Sequence, residues 1–152
     1  MDSSDDLTLL FTALSAACDV DVRRRMAAAG HHEVRTIHGY VFRHLLDGPI
    51  RITDLADLLG MTAQGASKVV ADMERAGYAS RSPDPHDSRV RLVSLTRRGH
   101  EAVRISRRAR ADVTGELLAT LGPEGDKLIT ALRRLSDHTD ALPDLLARRL
   151  RP

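Results

Sequence analysis

The chain has 152 residues, of which 42% are apolar, 29% charged and 3% aromatic, with no Trp and a net charge of +2. That length suits one domain with a real core, and the core must come from Leu, Ala and Val, a mix that favours helices over strands. No apolar run reaches the ~18–20 residues that span a bilayer, the opening MDSSDD lacks the layout of a signal peptide, and a lone Cys18 excludes an internal disulfide. Together these make the cytoplasm the expected location.

Leu7, Leu10, Leu14 and Ala17 recur at three- and four-residue steps and predict an amphipathic helix from about residue 5 to 29, closed by Gly30. Val34, Ile37, Val41 and Leu45 mark a second helix that ends at Asp47-Gly48-Pro49. Ile50-Arg51-Ile52 is too short to be more than a bridge. Thr53 is the expected N-cap of a short third helix carrying Leu55, Leu58 and Leu59. Gly60 stops it, and Thr62 caps a fourth helix that runs to Ala76 with Gly77 just beyond. Two extended segments follow, Tyr78 to Pro83 and Arg89 to Leu95, with Asp84, Pro85 and Asp87 in the turn between them. Thr96 then caps a long helix to about Leu121. Pro123 suits the first turn of a last helix, which Pro143 must kink or restart, from Asp140.

Residues 52–74, ITDLADLLGMTAQGASKVVADME, place two helices around a tight turn. Ala56 lets the helices approach, Gly60 makes the turn, and Leu55, Leu59, Met61, Ala66 and Val69 fall at the inward positions of a helix-turn-helix. Thr62, Gln64, Gly65, Ser67 and Lys68 then occupy the N-terminal end of the second helix. In such motifs that end meets base edges in the major groove. Gln reads adenine with two hydrogen bonds, Ser reaches a base or a phosphate, and Lys supplies charge. The basic hairpin that follows makes the motif a winged one. Arg89 near its tip suits the narrow, electronegative minor groove. Asp87 is placed to hold that guanidinium by a bidentate pair, with Arg81 and Arg91 beside phosphates. From Lys68 to Arg110, eleven Lys and Arg stand against five Asp and Glu. A basic middle between acidic ends is the footprint of a polyanion binder. The expected fold is therefore mainly α, a winged helix-turn-helix (residues 31–96) with a helical dimerisation region (1–30 and 97–152), one structural domain overall.

Residues 55–101 resemble the reading head of the MarR family of bacterial transcription regulators. The resemblance rests on Glu74-Arg75-Ala76-Gly77-Tyr78, on Asp84 through Arg89 as DPxDxR, and on Leu95-Thr96 with Gly99. It covers about a third of the chain densely and the remainder in helix order only. It implies a homodimer with interlocked N- and C-terminal helices, binding a pseudo-palindrome in double-stranded DNA as a repressor. It also implies that Arg89 enters the minor groove with Asp87 as its partner. Leu-rich first and last helices point to the same dimer, since a subunit of this size has little else to cover them.

Family members are modulated by small molecules or oxidants. A pocket for a small phenolic or carboxylate ligand, lined by His38, Tyr40 and Arg104, is the expectation here. Cys18 sits in the first helix, where peroxide-sensing relatives keep a reactive cysteine. The aromatic neighbours that would hold its thiolate are missing, Tyr40 being the one candidate, so a buried, inert thiol is expected. His31, His32, His38 and His44 raise zinc, but His38 and His44 lie six apart, nearly opposed around a helix, and His100 has no histidine four residues on. No metal or cofactor is expected. Neither a phosphate-cradling glycine loop nor a credible Ser/His/Asp arrangement points to an enzyme. Two alternatives stay open: redox sensing through Cys18, and a winged-helix interaction module that does not bind DNA.

Overall fold

The structure is a computed structural model that describes residues 5–139 together with Leu142 and Leu145. In chain order it has α1 (Leu7–Ala28), α2 (Thr36–Leu45), β1 (Ile50–Arg51), α3 (Ile52–Leu59), α4 (Ala63–Arg75), β2 (Ala79–Pro83), β3 (Arg91–Leu95), α5 (Arg97–Leu121) and α6 (Gly125–Thr139). The expected mainly α winged helix-turn-helix is what forms. The strands make one antiparallel sheet in the order β1-β3-β2. β1 is the two-residue bridge expected at Ile50, paired as Ile50↔Val93 and Arg51↔Leu92.

Local chemistry sets most boundaries. The Asp6 carboxylate caps α1 by accepting from the N–H groups of Thr8 and Leu9, at 2.9 and 3.2 Å. Thr62 caps α4 by accepting from Gly65 N at 3.1 Å, and Thr96 caps α5 by accepting from Gly99 N at 3.1 Å. Gly60, with φ +65°, ends α3 in the left-handed region that side chains resist. Pro123 lies in a 3-10 turn, Gly122–Glu124, that leads into α6. The expected kink at Pro143 and restart at Asp140 lie outside the described residues.

Three expectations need correction. Thr53 does not cap α3: the helix already starts at Ile52, with Arg51 at the cap position and no side-chain cap bond. Pairing of Ile50 and Arg51 with β3 sets the entry angle instead, so the sheet does the work of a cap. Val69 is only half-buried, and Val70 takes the fully buried position beside Ala66 and Met73. The second extended segment starts at Arg91, because Arg89 and Val90 belong to the turn.

The core joins Val41, Phe42 and Leu45 of α2, Leu55 and Leu59 of α3, Val70 and Met73 of α4, and Tyr78 and Val93 of the sheet region. Helix α1 contributes little to it. Met26 is its one buried residue, while Leu7, Leu10 and Leu14 stay 59%, 40% and 54% exposed. The predicted apolar stripe thus has no partner within the subunit's own core.

Tyr78 is the hub where the helices meet. Its ring is buried, with Phe42 edge-on at 5.8 Å and the His31 and His38 rings at 5.8 and 6.4 Å. The Arg98 guanidinium lies over it at 5.0 Å. Arg98 also donates from Nε to Ala76 O at 3.1 Å and from Nη2 to Gly30 O at 2.9 Å. One side chain therefore pins the ends of α1 and α4 to the start of α5.

His31 and His38 are 2% and 1% exposed. Burial, then the nearby Arg98 for His31 and Arg35 for His38, pushes both imidazoles below their ordinary pKa. The folded state thus keeps them neutral while the unfolded chain takes up protons below about pH 6.5. Stability should be fully present above that pH and fall as pH drops through the window down to the folded values. Urea midpoints at pH 7.5 and 5.5 check this, with a lower midpoint expected at 5.5 and a smaller drop in His31→Gln. Equal midpoints would contradict it. Asp72 and Asp84, both held below the usual carboxylate range, add their own loss only at more acidic pH.

Candidate nucleic-acid interface

Helix α4 divides cleanly into two faces. Ala66, Val70 and Met73 are buried, whereas Thr62, Ala63, Gln64, Lys68 and Arg75 are exposed. Gln64 and Lys68 are four apart, and so project from the same side of the helix. The Thr62 hydroxyl is engaged in the cap, and a Cβ on Gly65 would lie 3.2 Å from it. Gly65 therefore acts through close packing at the helix start. Arg75 was not among the expected site residues. Its guanidinium pairs with Asp72, as does that of Arg35 from α2, which pulls the Asp72 carboxyl below its ordinary range.

The wing pairs β2 with β3 in the register Ala79↔Leu95 to Pro83↔Arg91. Its tip is built by two aspartates. Asp84, 8% exposed, accepts from His86 N at 2.8 Å. That N–H, with the Arg51 guanidinium 3.4 Å away, keeps its carboxyl below the usual range. Asp87 accepts from Arg89 N at 3.0 Å, and Val90 N donates to Asp87 O at 2.9 Å. Both carboxylates make side-chain-to-backbone turns. This corrects the expected Asp87–Arg89 ion pair: Asp87 holds the backbone of Arg89 and leaves the guanidinium exposed to solvent. Asp84 and Arg51 were missed as wing-building residues. The Asp-Pro-His sequence carries the turn signal for the first; nothing local signals the second, whose partner is 33 residues away.

Arg91 is exposed on the wing, as expected. Arg81 is not free to meet a phosphate. It is half-buried and donates from Nη2 to Ser67 O at 2.7 Å and to Ser67 Oγ at 3.2 Å, with Nη1 3.4 Å from Glu74. Ser67 is consequently half-buried and occupied from the wing side.

The three residues expected to line a ligand pocket do not come together. His38 is in the core, its Nδ1 accepting from Arg35 N at 3.2 Å. Arg104 is exposed and pairs loosely with Glu101 at 4.0 Å on its own helix. Tyr40 does line a cavity of about 250 Å³ between α1, α2 and α5, with Met26, His31, His32, Phe42 and Arg110. The missed arginines of that wall are Arg23, Arg35 and Arg110, which three different helix ends or faces bring to one place. Cys18 is half-buried, not fully buried as expected, and lies in a neighbouring groove with Phe11, Ser15 and Thr36; Tyr40 is not part of that groove. Among the described residues no cluster of three or more His, Cys, Asp or Glu could hold a metal ion, and no helix is long and apolar enough to cross a membrane.

A helix-turn-helix with an exposed cationic face, followed by an arginine-tipped two-stranded ribbon, defines the chain as a winged helix-turn-helix protein. Residues 34–90 match the model of the MarR family, to which this chain belongs. An HTH-type transcriptional regulator of Mycobacterium bovis is 42% identical over 55 residues, a match that covers 36% of this chain and 38% of that relative. The chain thus spans about two fifths of the length of the curated relatives it matches. The fold extends much further. YusO of Bacillus subtilis superposes with a TM-score of 0.72 at 19% identity, over 91% of this chain and 95% of that one. A MepR variant of S. aureus, bound to an oligodeoxyribonucleotide, superposes with a TM-score of 0.62 at 22% identity, over 90% and 98%.

Proposed function

We propose that this chain is a DNA-binding transcriptional regulator, a repressor, that works as a homodimer on a pseudo-palindromic operator and has no catalytic role. The carrying observation is a single surface on which exposed Gln64 and Lys68 at the start of α4 stand beside a wing tipped by exposed Arg89. Gln64 would read a base edge, Lys68 a phosphate, and Arg89 the minor groove. Residues 31–96 form the reading head in this account, and 1–30 with 97–152 the dimerisation region. Exposed Leu7, Leu10, Leu14, Leu117, Leu121 and Leu135 supply the apolar surface that a second copy would cover. A two-fold pair would set the two α4 helices about 34 Å apart, one turn of DNA. The DNA-bound MepR variant supports the same assignment. The cytoplasm is the compartment where such a protein meets its operator.

The cavity beside Tyr40 supports modulation by a small organic anion, a phenolic or carboxylate compound, because Arg23, Arg35 and Arg110 converge on its wall. A docking module without DNA is disfavoured by the reading face, since docking surfaces rely on apolar anchors.

Salt titration of duplex binding, on an operator selected from a random pool, tests the proposal. The selected consensus should be symmetric, and log K should fall steeply with log salt. Lys68→Ala should weaken binding and make that slope shallower by about 0.9, the signature of one lost phosphate contact. Absence of duplex binding at low ionic strength would overturn the assignment.

A further inference from the structure

We propose that Arg81 is a positioning residue that ties the wing to the recognition helix, setting the angle between the two DNA-facing elements. This rests on the regulator reading above and assigns Arg81 and Ser67 roles that the sequence did not suggest. The guanidinium leaves β2 at the third of its five residues and reaches α4 at two places. Its Nη2 donates to the carbonyl and the hydroxyl of Ser67, and Nη1 sits against Glu74. Ser67 and Glu74 are seven apart, two turns of one helix face. A planar fork held at two points fixes direction as well as distance. Without it, α4 and β2 are joined by the turn at residues 76–78 and by side-chain packing, which allow the ribbon to pivot. The side chain is only 27% exposed, so a phosphate could reach it only by breaking these contacts. The same contact occupies the Ser67 hydroxyl from the wing side. Gln64 and Lys68 are left as the outward groups of that turn of α4.

The tie makes Arg81 cationic yet silent in counterion release. In salt titrations on the selected operator, Arg81→Ala should bind about tenfold more weakly with the parental slope, whereas Lys68→Ala loses slope. Arg81→Lys separates charge from geometry. A tie loses affinity in this variant nearly as in Arg81→Ala, because an ammonium cannot span both acceptors; a phosphate contact would keep it. Ser67→Ala should bind within about twofold of the parent with unchanged sequence preference, since the 2.7 Å bond to the Ser67 carbonyl remains. Hydrogen exchange of the free protein gives a readout independent of DNA: amides of β2 and β3 should exchange faster in Arg81→Ala and not in Lys68→Ala. A shallower slope in Arg81→Ala, parental affinity in Arg81→Lys, or unchanged wing exchange would overturn the tie. Failure of the parent to bind any duplex would instead sink the regulator reading, leaving the exchange result to judge Arg81 alone.

Discussion

Gly99→Ala should cost the fold about 3 kcal/mol, far more than its single added methyl suggests. Gly99 sits in the first turn of α5, and a Cβ there would lie 2.1 Å from the Tyr78 carbonyl oxygen and 3.2 Å from a Leu95 methyl. The first obstacle is backbone, so no rotamer change relieves it. On helix propensity alone the substitution should help, by roughly 0.5–1 kcal/mol. Steric exclusion wins because relief requires the start of α5 to retreat from Tyr78. That retreat would strain the bond from Thr96 N to Tyr78 O (3.1 Å), the bond from Thr96 Oγ1 to Gly77 O (2.5 Å) and the Arg98 clip onto Ala76. For a chain of this length, thermal unfolding followed by circular dichroism should show Tm lower by roughly 6–12 °C. A variant that melts at or above the parent would refute the close approach. Duplex binding should suffer as well, because those same bonds anchor the end of α4.

The difference between what was legible in the sequence and what was not follows from the range of the interactions. Gly30, Gly60, Gly77, Thr62 and Thr96 were readable because caps and left-handed turns are decided within four residues. The winged helix-turn-helix followed from those stops and from the alternation of helical and extended segments. Interactions across the chain were not readable. Arg81 looks like a phosphate ligand until β2 folds back along α4, 14 residues away, and gives it Ser67. His38 looks like a ligand to a small molecule until Tyr78 and Phe42 close around it. Val69 and Val70 are equivalent by composition, and only the angle at which α4 meets α2 and α3 selects Val70 for the core. Arg110 reaches the cavity wall from α5, some 70 residues beyond the α2 residues it faces, so no local spacing could announce it.

Arg89→Ala should weaken operator binding by about 1–3 kcal/mol, roughly 5- to 150-fold, while leaving thermal stability within about 0.5 kcal/mol of the parent. The side chain is exposed at the wing tip, so the folded state loses little when it is removed. What it supplies is a cation delivered to the most electronegative part of the duplex surface. The geometry of the tip makes a sharper statement about Asp87. An ion-pair partner would fail equally as Asp87→Asn or Asp87→Ala, because both remove the charge. Asp87 acts instead as an acceptor for Arg89 N at 3.0 Å, and the Asn carbonyl oxygen can accept that bond unchanged. Asp87→Asn should therefore bind the operator at least as well as the parent, having also lost a negative charge next to DNA. Asp87→Ala gains the same electrostatic relief but frees the turn that aims Arg89, and its affinity should fall below that of Asp87→Asn. In the Arg89→Ala background the two Asp87 variants should become indistinguishable, since no guanidinium is left to aim. Fluorescence anisotropy on one labelled duplex at fixed salt measures all of these. Equal losses for Asp87→Asn and Asp87→Ala would restore the ion pair and with it a different picture of how the wing is held.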